Sequence, residues 1–344
     1  MKKIVVTGIN ATDNPGPGIP IARCLQDDKN FNGKIIGFSY DALEPGIYMD
    51  ILEKSYLVPY PSAGSKATLE RITEINKKEK IDLIIPALDS EIQNYIKIEN
   101  DLKKIGIKTF LPTQKQLAYR AKDKLSKFCE DAKINTPKFA TINSVVEFDK
   151  IQNKMKYPLV IKGIFYEAFI AYTRVEAESY FYTLSAKWGL PIIVQEFLQG
   201  DEYNVAALGD GNGKTIGAVG MKKLYITDKG KGWSGVSIVD KVILKETEKI
   251  IKKLNWRGGL ELEFIKSSKD GKYYLLEINP RFPAWVFLTA KVNVNLPEAL
   301  VKMASGKKIK PFKKYEAGKI FIRASLDYFT DIETLGKIST GGES

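Results

Sequence analysis

The chain opens on a short apolar run, Ile4-Val5-Val6, that gives way at once to Thr7-Gly8 and the loop Asn14-Pro15-Gly16-Pro17-Gly18. Apolar positions then recur through Ile21-Ala22-Arg23-Cys24-Leu25, which predicts a helix, and Lys34-Ile35-Ile36-Gly37-Phe38 predicts a second strand. Helical spacing from Leu69 to Lys80 leads into the buried-type strand Ile81-Asp82-Leu83-Ile84-Ile85-Pro86. This alternation predicts a parallel sheet with helices on its faces. Ligands of open α/β sheets collect beyond the carboxyl ends of the strands, which puts Asp89 and Glu91 at a substrate edge; the alternative is that both are solvated acids opening the next helix. Between Gly8 and Phe38 no G-x-G-x-x-G with a downstream acid is present, so Gly8, Gly16 and Gly18 are read as turn residues that let the helix approach the sheet.

The pattern changes after Pro112. Thr113 to Ala132 is polar, lysine-rich and helix-compatible, as a connector between domains would be. Short strands follow around Phe139-Ala140, Leu159-Val160-Ile161 and Ile192-Ile193-Val194, with a helix from Val175 to Lys187, which makes a small α+β unit. From Glu202 onward, strands at Tyr203 to Leu208, Thr215 to Val219 and Val236 to Val239 are separated by Gly/Asp/Asn turns. A helix from Lys245 to Leu254 precedes a hairpin, Gly259 to Ile265 with Tyr273 to Ile278, around Asp270-Gly271. The expected domains are 1–112, 113–198 and 199–344.

Composition narrows the chemistry. The 344 residues contain no histidine, which excludes Ser-His-Asp and Cys-His nucleophilic machinery and histidine-ligated zinc. Carboxylate, lysine, arginine, backbone and metal-ion chemistry remain. A net charge of +12 suggests nucleic acid, but only seven of the 53 basic residues are arginine, and the lysines are scattered beside acids, as in Lys77-Lys78-Glu79-Lys80. A solvated lysine-rich surface is expected, with no nucleic-acid partner. Two distant cysteines, Cys24 and Cys129, build no disulfide framework, and neither a secretory signal nor a membrane-spanning apolar run is found. The expectation is a cytoplasmic protein; a homodimer is left open.

The sharpest constellation is Gly259-Leu260-Glu261-Leu262-Glu263-Phe264 followed by Leu275-Leu276-Glu277-Ile278-Asn279-Pro280-Arg281. Alternate strand residues share a face, so Glu277 and Asn279 point together and Glu263 meets them across the hairpin. Two carboxylates and an amide are hard oxygen ligands of the kind Mg2+ takes when substrate phosphates complete its shell. Arg281, just beyond, has the planar donor fork that suits a phosphoryl group. The alternative is an exposed hairpin face, and Glu261 in particular is assigned an outer or purely structural role.

These residues resemble the ATP-grasp superfamily, in its branch similar to the carbamoyl phosphate synthetase large subunit and to amino-acid and peptide carboxylate-amine ligases. Asp123-Lys124 resembles that family's Asp-Lys signature, and Tyr157-Pro158-Leu159-Val160-Ile161-Lys162 its Pro-hydrophobic-hydrophobic-Lys strand. Val194 to Tyr203 is similar to its nucleotide hinge. The resemblance implies a pre-ATP-grasp parallel-sheet (Rossmann-like) domain followed by a two-subdomain α+β ATP-grasp fold, with ATP and Mg2+ bound, Mn2+ being a substitute. It implies that Lys124 and Lys162 reach the nucleotide phosphates, that Glu196 and the backbone of Phe197 and Leu198 take the adenine, and that Glu202 takes the ribose. Glu263, Glu277 and Asn279 would hold the metal, with Arg281 catalytic.

The implied reaction joins a small-molecule or peptide carboxylate to an amine through an acyl phosphate, releasing ADP and phosphate. Bicarbonate phosphorylation and a non-catalytic ATP-binding protein are the alternatives. Two departures stand out. Gly163 to Ala171 is poor in the flap glycines of the family, so phosphate closure falls either to a tight apolar flap or to the later loop Lys229 to Gly235. Trp285 replaces small residues, lining either an acceptor pocket or a domain seam. Lys222 and Lys223 are taken as solvated bystanders, the alternative being that they join the phosphates, and Arg323 as a pocket candidate.

Overall fold

The computed structural model describes residues 2–10, 15–163, 167–227 and 230–344, without the side chain of Asp123. Asn14 of the glycine-rich loop, residues 164–166 of the expected flap and Lys229 of the later loop lie outside the described residues.

Three sheets follow one another along the chain. The first holds β1 (Lys2–Val6), β2 (Gly33–Ser39), β3 (Lys54–Leu57) and β4 (Leu83–Ile85), all parallel in the order β3-β2-β1-β4. The second holds β5 (Phe139–Ile142), β6 (Leu159–Lys162), β7 (Ala168–Ala171) and β8 (Ile192–Glu196), antiparallel in the order β5-β8-β6-β7. The third and largest runs β13-β12-β9-β10-β11-β14, with β9 (Gly200–Asp210), β10 (Thr215–Ile226), β11 (Gly232–Ile238), β12 (Arg257–Ser267), β13 (Tyr273–Asn279) and β14 (Ile320–Ile322). The expected parallel-sheet unit followed by α+β units is what the chain forms. Among the described residues no helix is long and apolar enough to cross a membrane.

The glycine-rich turn does what its sequence suggests. The helix Gly18–Asp27 starts so close to β1 that a Cβ on Gly18 would lie 2.0 Å from the Thr7 carbonyl oxygen, and Gly8 itself has φ +62°. Only glycine fits both positions at no cost. That helix packs on the segment 286–301, so β1, β4, β9 and β10 share one hydrophobic core, with Ile21 and Leu25 meeting Val286, Leu288 and Leu300. The parallel sheet and the large sheet thereby share a core.

Behind the large sheet lies the helix Lys241–Leu254. Asp240 caps it, accepting from Val242 N at 2.8 Å, and its buried residues Ile243, Thr247, Ile250, Ile251 and Leu254 recur at helical spacing. Each fully buried isoleucine stabilises the fold by roughly 1.5–3 kcal/mol. They meet Leu260, Leu262 and Phe264 of β12, which commits one face of that strand to the core. Glu261 and Glu263 are consequently turned to the opposite face, toward the first sheet.

Three strands escaped the sequence reading: β3, β7 and β14, each of three or four residues. The connector 113–132 is also not one helix, because it breaks at Ala121 between a single turn (Gln114–Leu117) and the helix Lys122–Ala132.

Candidate active site

Glu261 and Glu263 share a face of β12, and Asn204 of β9 stands opposite Glu263. On the other side, β13 pairs Glu263 with Glu277 and Glu261 with Asn279, but Phe264 pairs with Leu275. Leu276 is therefore an extra residue, a β-bulge that shifts the alternation by one position. Its effect is chemical. Leu275 stays in the core with Phe264, while Glu277 and Asn279 come round to the face that carries Glu261 and Glu263. The bulge carbonyl of Leu276 accepts from Lys122 Nζ, and the same ammonium lies 3.5 Å from Glu277 Oε1.

Asn204, Glu261 and Glu263 border a cleft of about 420 Å3 between the ends of the first sheet's strands and the large sheet. Asn10, Gly16, Leu88 and Asp89 line one wall; Asn204, Glu261, Glu263, Arg281, Trp285 and Arg323 line the other. Asn279 Nδ2 donates to Glu263 Oε1 at 2.8 Å and to Glu261 Oε2 at 3.3 Å. Arg281 spans the two walls, with Nε on Asp89 Oδ2 at 2.9 Å and Nη1 on Glu261 Oε2 at 2.7 Å. The two carboxylates hold its charge well above the ordinary arginine range against the cost of burial.

The acids are not electrostatically content. Burial and the like charges of Glu261 and Glu277 push the Glu263 carboxyl up to about 7. Nearly half of the Glu277 side-chain surface is accessible. Loss of water there works to raise its carboxyl, yet Lys122 and Lys162 outweigh that and hold it below the ordinary range. Lys122, buried and close to Lys162, is lowered in turn, Glu277 opposing.

A divalent cation fits this set by its chemistry: two carboxylates paired across the strands, one of them raised by burial and by its acidic neighbours, and an amide whose oxygen remains available. Among the described residues no three or more Asp, Glu, His or Cys side chains form a cage by themselves. That agrees with an ion expected to complete its shell with water and phosphate.

A pH dependence follows. A carboxyl raised from about 4.5 to about 7 on folding keeps a proton that the unfolded chain has lost, so metal-free stability should fall as pH rises through that window. Mg2+ held at this carboxylate would replace the proton, and its gain in melting temperature should be larger at pH 8 than at pH 5.5. Equal gains at both pH values would place the cation elsewhere.

The remaining expected residues are distributed as follows. Lys162 ends β6, near enough to Glu277 to lower its carboxyl. Lys124 is exposed on the helix Lys122–Ala132; the lysine of that helix that reaches the carboxylates is Lys122. Glu196 ends β8, and its Oε2 accepts from Lys138 N at 3.2 Å. Phe197 and Leu198 are half-buried in the link to β9, and among the described residues no backbone hydrogen bond reaches either one. Glu202 accepts from Lys223 Nζ at 2.5 Å.

Two readings need correction. Lys223 is no solvated bystander: its side chain is buried beside the cleft, and although burial works against its charge, Glu263, Glu202 and Glu261 keep the ammonium above its ordinary range. Glu91 is sealed in at 1 % exposure, accepting from Thr7 Oγ1, Tyr40 OH and the Ala87 and Leu88 amides, so it braces the strand ends instead of meeting a ligand. Glu261 agrees with the outer or structural role expected of it and not with an exposed face, since Asn204 Nδ2 at 2.7 Å and Trp285 Nε1 at 2.8 Å add to the donors from Arg281 and Asn279.

A family model described as ATP-grasp in the biosynthetic pathway with Ter operon matches residues 190–322, less than half of the chain. The carbamoyl phosphate synthase large chain of Clostridium beijerinckii is 26 % identical over 328 residues, 90 % of this chain and 30 % of that protein. A D-alanine–D-alanine ligase of Rickettsia typhi is 31 % identical over 177 residues, 44 % of this chain and 53 % of that one. The chain thus spans under a third of the synthase and about half of the ligase. In fold it is similar to a biotin carboxylase of Campylobacter jejuni, with TM-score 0.72 and 16 % identity over 93 % of this chain and 74 % of the other. It is similar also to the L-amino acid ligase of Bacillus licheniformis, with TM-score 0.65 and 15 % identity over 90 % and 78 %. Residues 190–322 thus match an ATP-grasp family, and the chain is similar in fold to these structures.

Proposed function

We propose that this chain is an ADP-forming ligase that binds ATP with Mg2+ and joins a carboxylate to an amine. The observation that carries the reading is the gathering of Glu263, Glu277 and Asn279 with Arg281, Lys122 and Lys162 around the β12–β13 hairpin. Acids that need a cation stand beside cations that need an anion, which is the charge pattern of a metal-bridged polyphosphate. The domain division at 112 and 198 is part of the same proposal, the nucleotide lying between the β5–β8 sheet and the large sheet.

In this reading Lys162 and Lys122 hold nucleotide phosphates, Lys122 taking the place assigned to Lys124. The unpaired backbone of Phe197 and Leu198 receives the adenine beside Glu196, and Glu202 receives the ribose hydroxyls. Glu263, Glu277 and the Asn279 amide oxygen hold Mg2+, which when bound lowers the charge on the phosphate oxygens. A carboxylate oxygen of the substrate attacks the γ-phosphorus as the bond to ADP breaks, and Arg281 steadies the charge that develops. The amine then attacks the acyl carbon, loses a proton, and phosphate leaves. Such chemistry depends on positioning and electrostatics, so a chain without histidine can perform it.

An amino acid or short peptide is the proposed substrate class, supported by the likeness to the two amino-acid ligases. Pooled amino acids and dipeptides should stimulate phosphate release from ATP, with mass spectrometry identifying the amide. Release that requires bicarbonate alone would favour carboxylation, and no release with any pool would sink the ligase reading.

Lys162→Ala should weaken binding of a non-hydrolysable ATP analogue by about 10- to 100-fold, since a charged hydrogen bond is worth roughly 1.5–3 kcal/mol. Calorimetric titration tests this, and unchanged affinity would return Lys162 to the surface lysines.

A further inference from the structure

Glu261 is the most heavily engaged acid in the cleft, and nothing in the ligase chemistry above uses it. It is 5 % exposed and accepts from four side chains: Asn204 and Trp285 on Oε1, Arg281 and Asn279 on Oε2. Those donors come from β9, from β13 and from the turn that follows it. A carboxylate with two donors on each oxygen is acceptor-saturated and ionised, and has no lone pair to spare for a ligand.

What Glu261 leaves free on its neighbours is the informative part. Arg281 spends Nε on Asp89 and Nη1 on Glu261, so Nη2 is the guanidinium nitrogen left to donate into the cleft. Asn279 spends Nδ2 on Glu261 and Glu263, so its amide oxygen is the atom left to meet a cation. An amide oxygen cannot face a carboxylate without repulsion, so Glu261 also fixes which way round the Asn279 amide sits. On the other oxygen, Asn204 is 3 % exposed and turned by the same logic, and the Trp285 indole is held flat against the wall.

We propose that Glu261 is the positioning residue of this site: it presents a donor, Arg281 Nη2, toward the transferring phosphoryl group and an acceptor, Asn279 Oδ1, toward the metal. This rests on the metal-nucleotide reading above, because a positioned acceptor has no purpose without a cation. The charge is essential to the role. Glutamine would bring a donor of its own into a ring that already supplies four, and at least one neighbour would have to turn away.

Mn2+ affinity, measured by electron paramagnetic resonance in the presence of a non-hydrolysable ATP analogue, tests the idea without turnover. Glu261→Gln should weaken Mn2+ by about 10- to 100-fold, the usual range for losing a group that orients a metal ligand. Combining Asn204→Ala with Trp285→Phe frees Oε1 alone and leaves every proposed ligand intact; this pair should weaken Mn2+ by a smaller factor, about 3- to 10-fold. Adding Glu261→Gln to the pair should then cost no more than Glu261→Gln by itself, because the groups act as one unit. Wild-type Mn2+ affinity in a folded Glu261→Gln protein overturns the proposal. If that variant does not fold, wild-type affinity in the Asn204→Ala/Trp285→Phe pair overturns it equally. Glu277→Gln separates the two levels: if it too binds Mn2+ normally, the metal site itself is misplaced, whereas weak binding there with normal binding in the Glu261 variants refutes the positioning role alone.

Discussion

Glu277→Gln should reduce ATP-dependent phosphate release by about 10³-fold or more, because a metal that stabilises transition-state charge contributes several kcal/mol and this substitution removes one of its two anionic ligands. The fold should survive. Glu277 is accessible over nearly half of its side-chain surface and is not among the side chains that build the core behind the hairpin. The new amide keeps the shape but abandons Lys122 and Lys162, two ammonium groups the carboxylate now compensates. Nucleotide phosphates can take over that compensation, so ATP affinity should change less than turnover does. Melting temperature, analogue binding and phosphate release on one preparation check all three. Near-normal release from a folded variant would remove Glu277 from the metal site and with it the reading of the hairpin.

The hairpin was legible because its two constraints agree. Leucines at 260 and 262 needed a core, so glutamates at 261 and 263 had to share the other face, and the Asp270-Gly271 turn brought β13 back beside them. The bulge at Leu276 was not legible. An apolar run such as Leu275-Leu276 carries no mark of which leucine is extra, and only pairing against β12 decides it. The three short strands were hidden for a related reason: β3, β7 and β14 gain their identity from the neighbours they pair with, not from a period of their own.

Charged residues were harder still, since sequence shows a charge without its surroundings. Lys124 and Lys122 differ by two positions on one helix, about 200° of rotation, and that rotation separates an exposed ammonium from one in contact with Glu277. Lys223 and Glu91 reverse in the same way, one from surface to cleft and the other from ligand edge to interior brace. Glu261 has the outer role expected of it, but its four donors come from positions 204, 279, 281 and 285, whose convergence no local spacing encodes.

Arg281→Lys should lower kcat by about 10²- to 10³-fold while shifting the KM for ATP much less, the signature of a group that acts on developing charge and not on the bound nucleotide. The geometry says why lysine is a poor substitute. Arginine uses one nitrogen for Asp89 and a second for Glu261, 2.9 and 2.7 Å away, and still has Nη2 for a ligand. A lysine ammonium is a point charge that cannot lie between those two carboxylates and also reach into the cleft. The same two ion pairs raise a competing explanation, that Arg281 only clamps the first sheet to the large one. Clamping predicts a lower melting temperature, and so does the catalytic role, so stability alone decides nothing. Turnover per folded molecule does. Asp89→Asn supplies the comparison, because it removes the charge that anchors Nε and leaves the pairing with Glu261: a clamp should lose stability in both variants and activity in neither once folded fraction is counted. If Arg281→Lys retains full kcat per folded molecule, the assignment to phosphoryl transfer is wrong and the arginine belongs to the architecture.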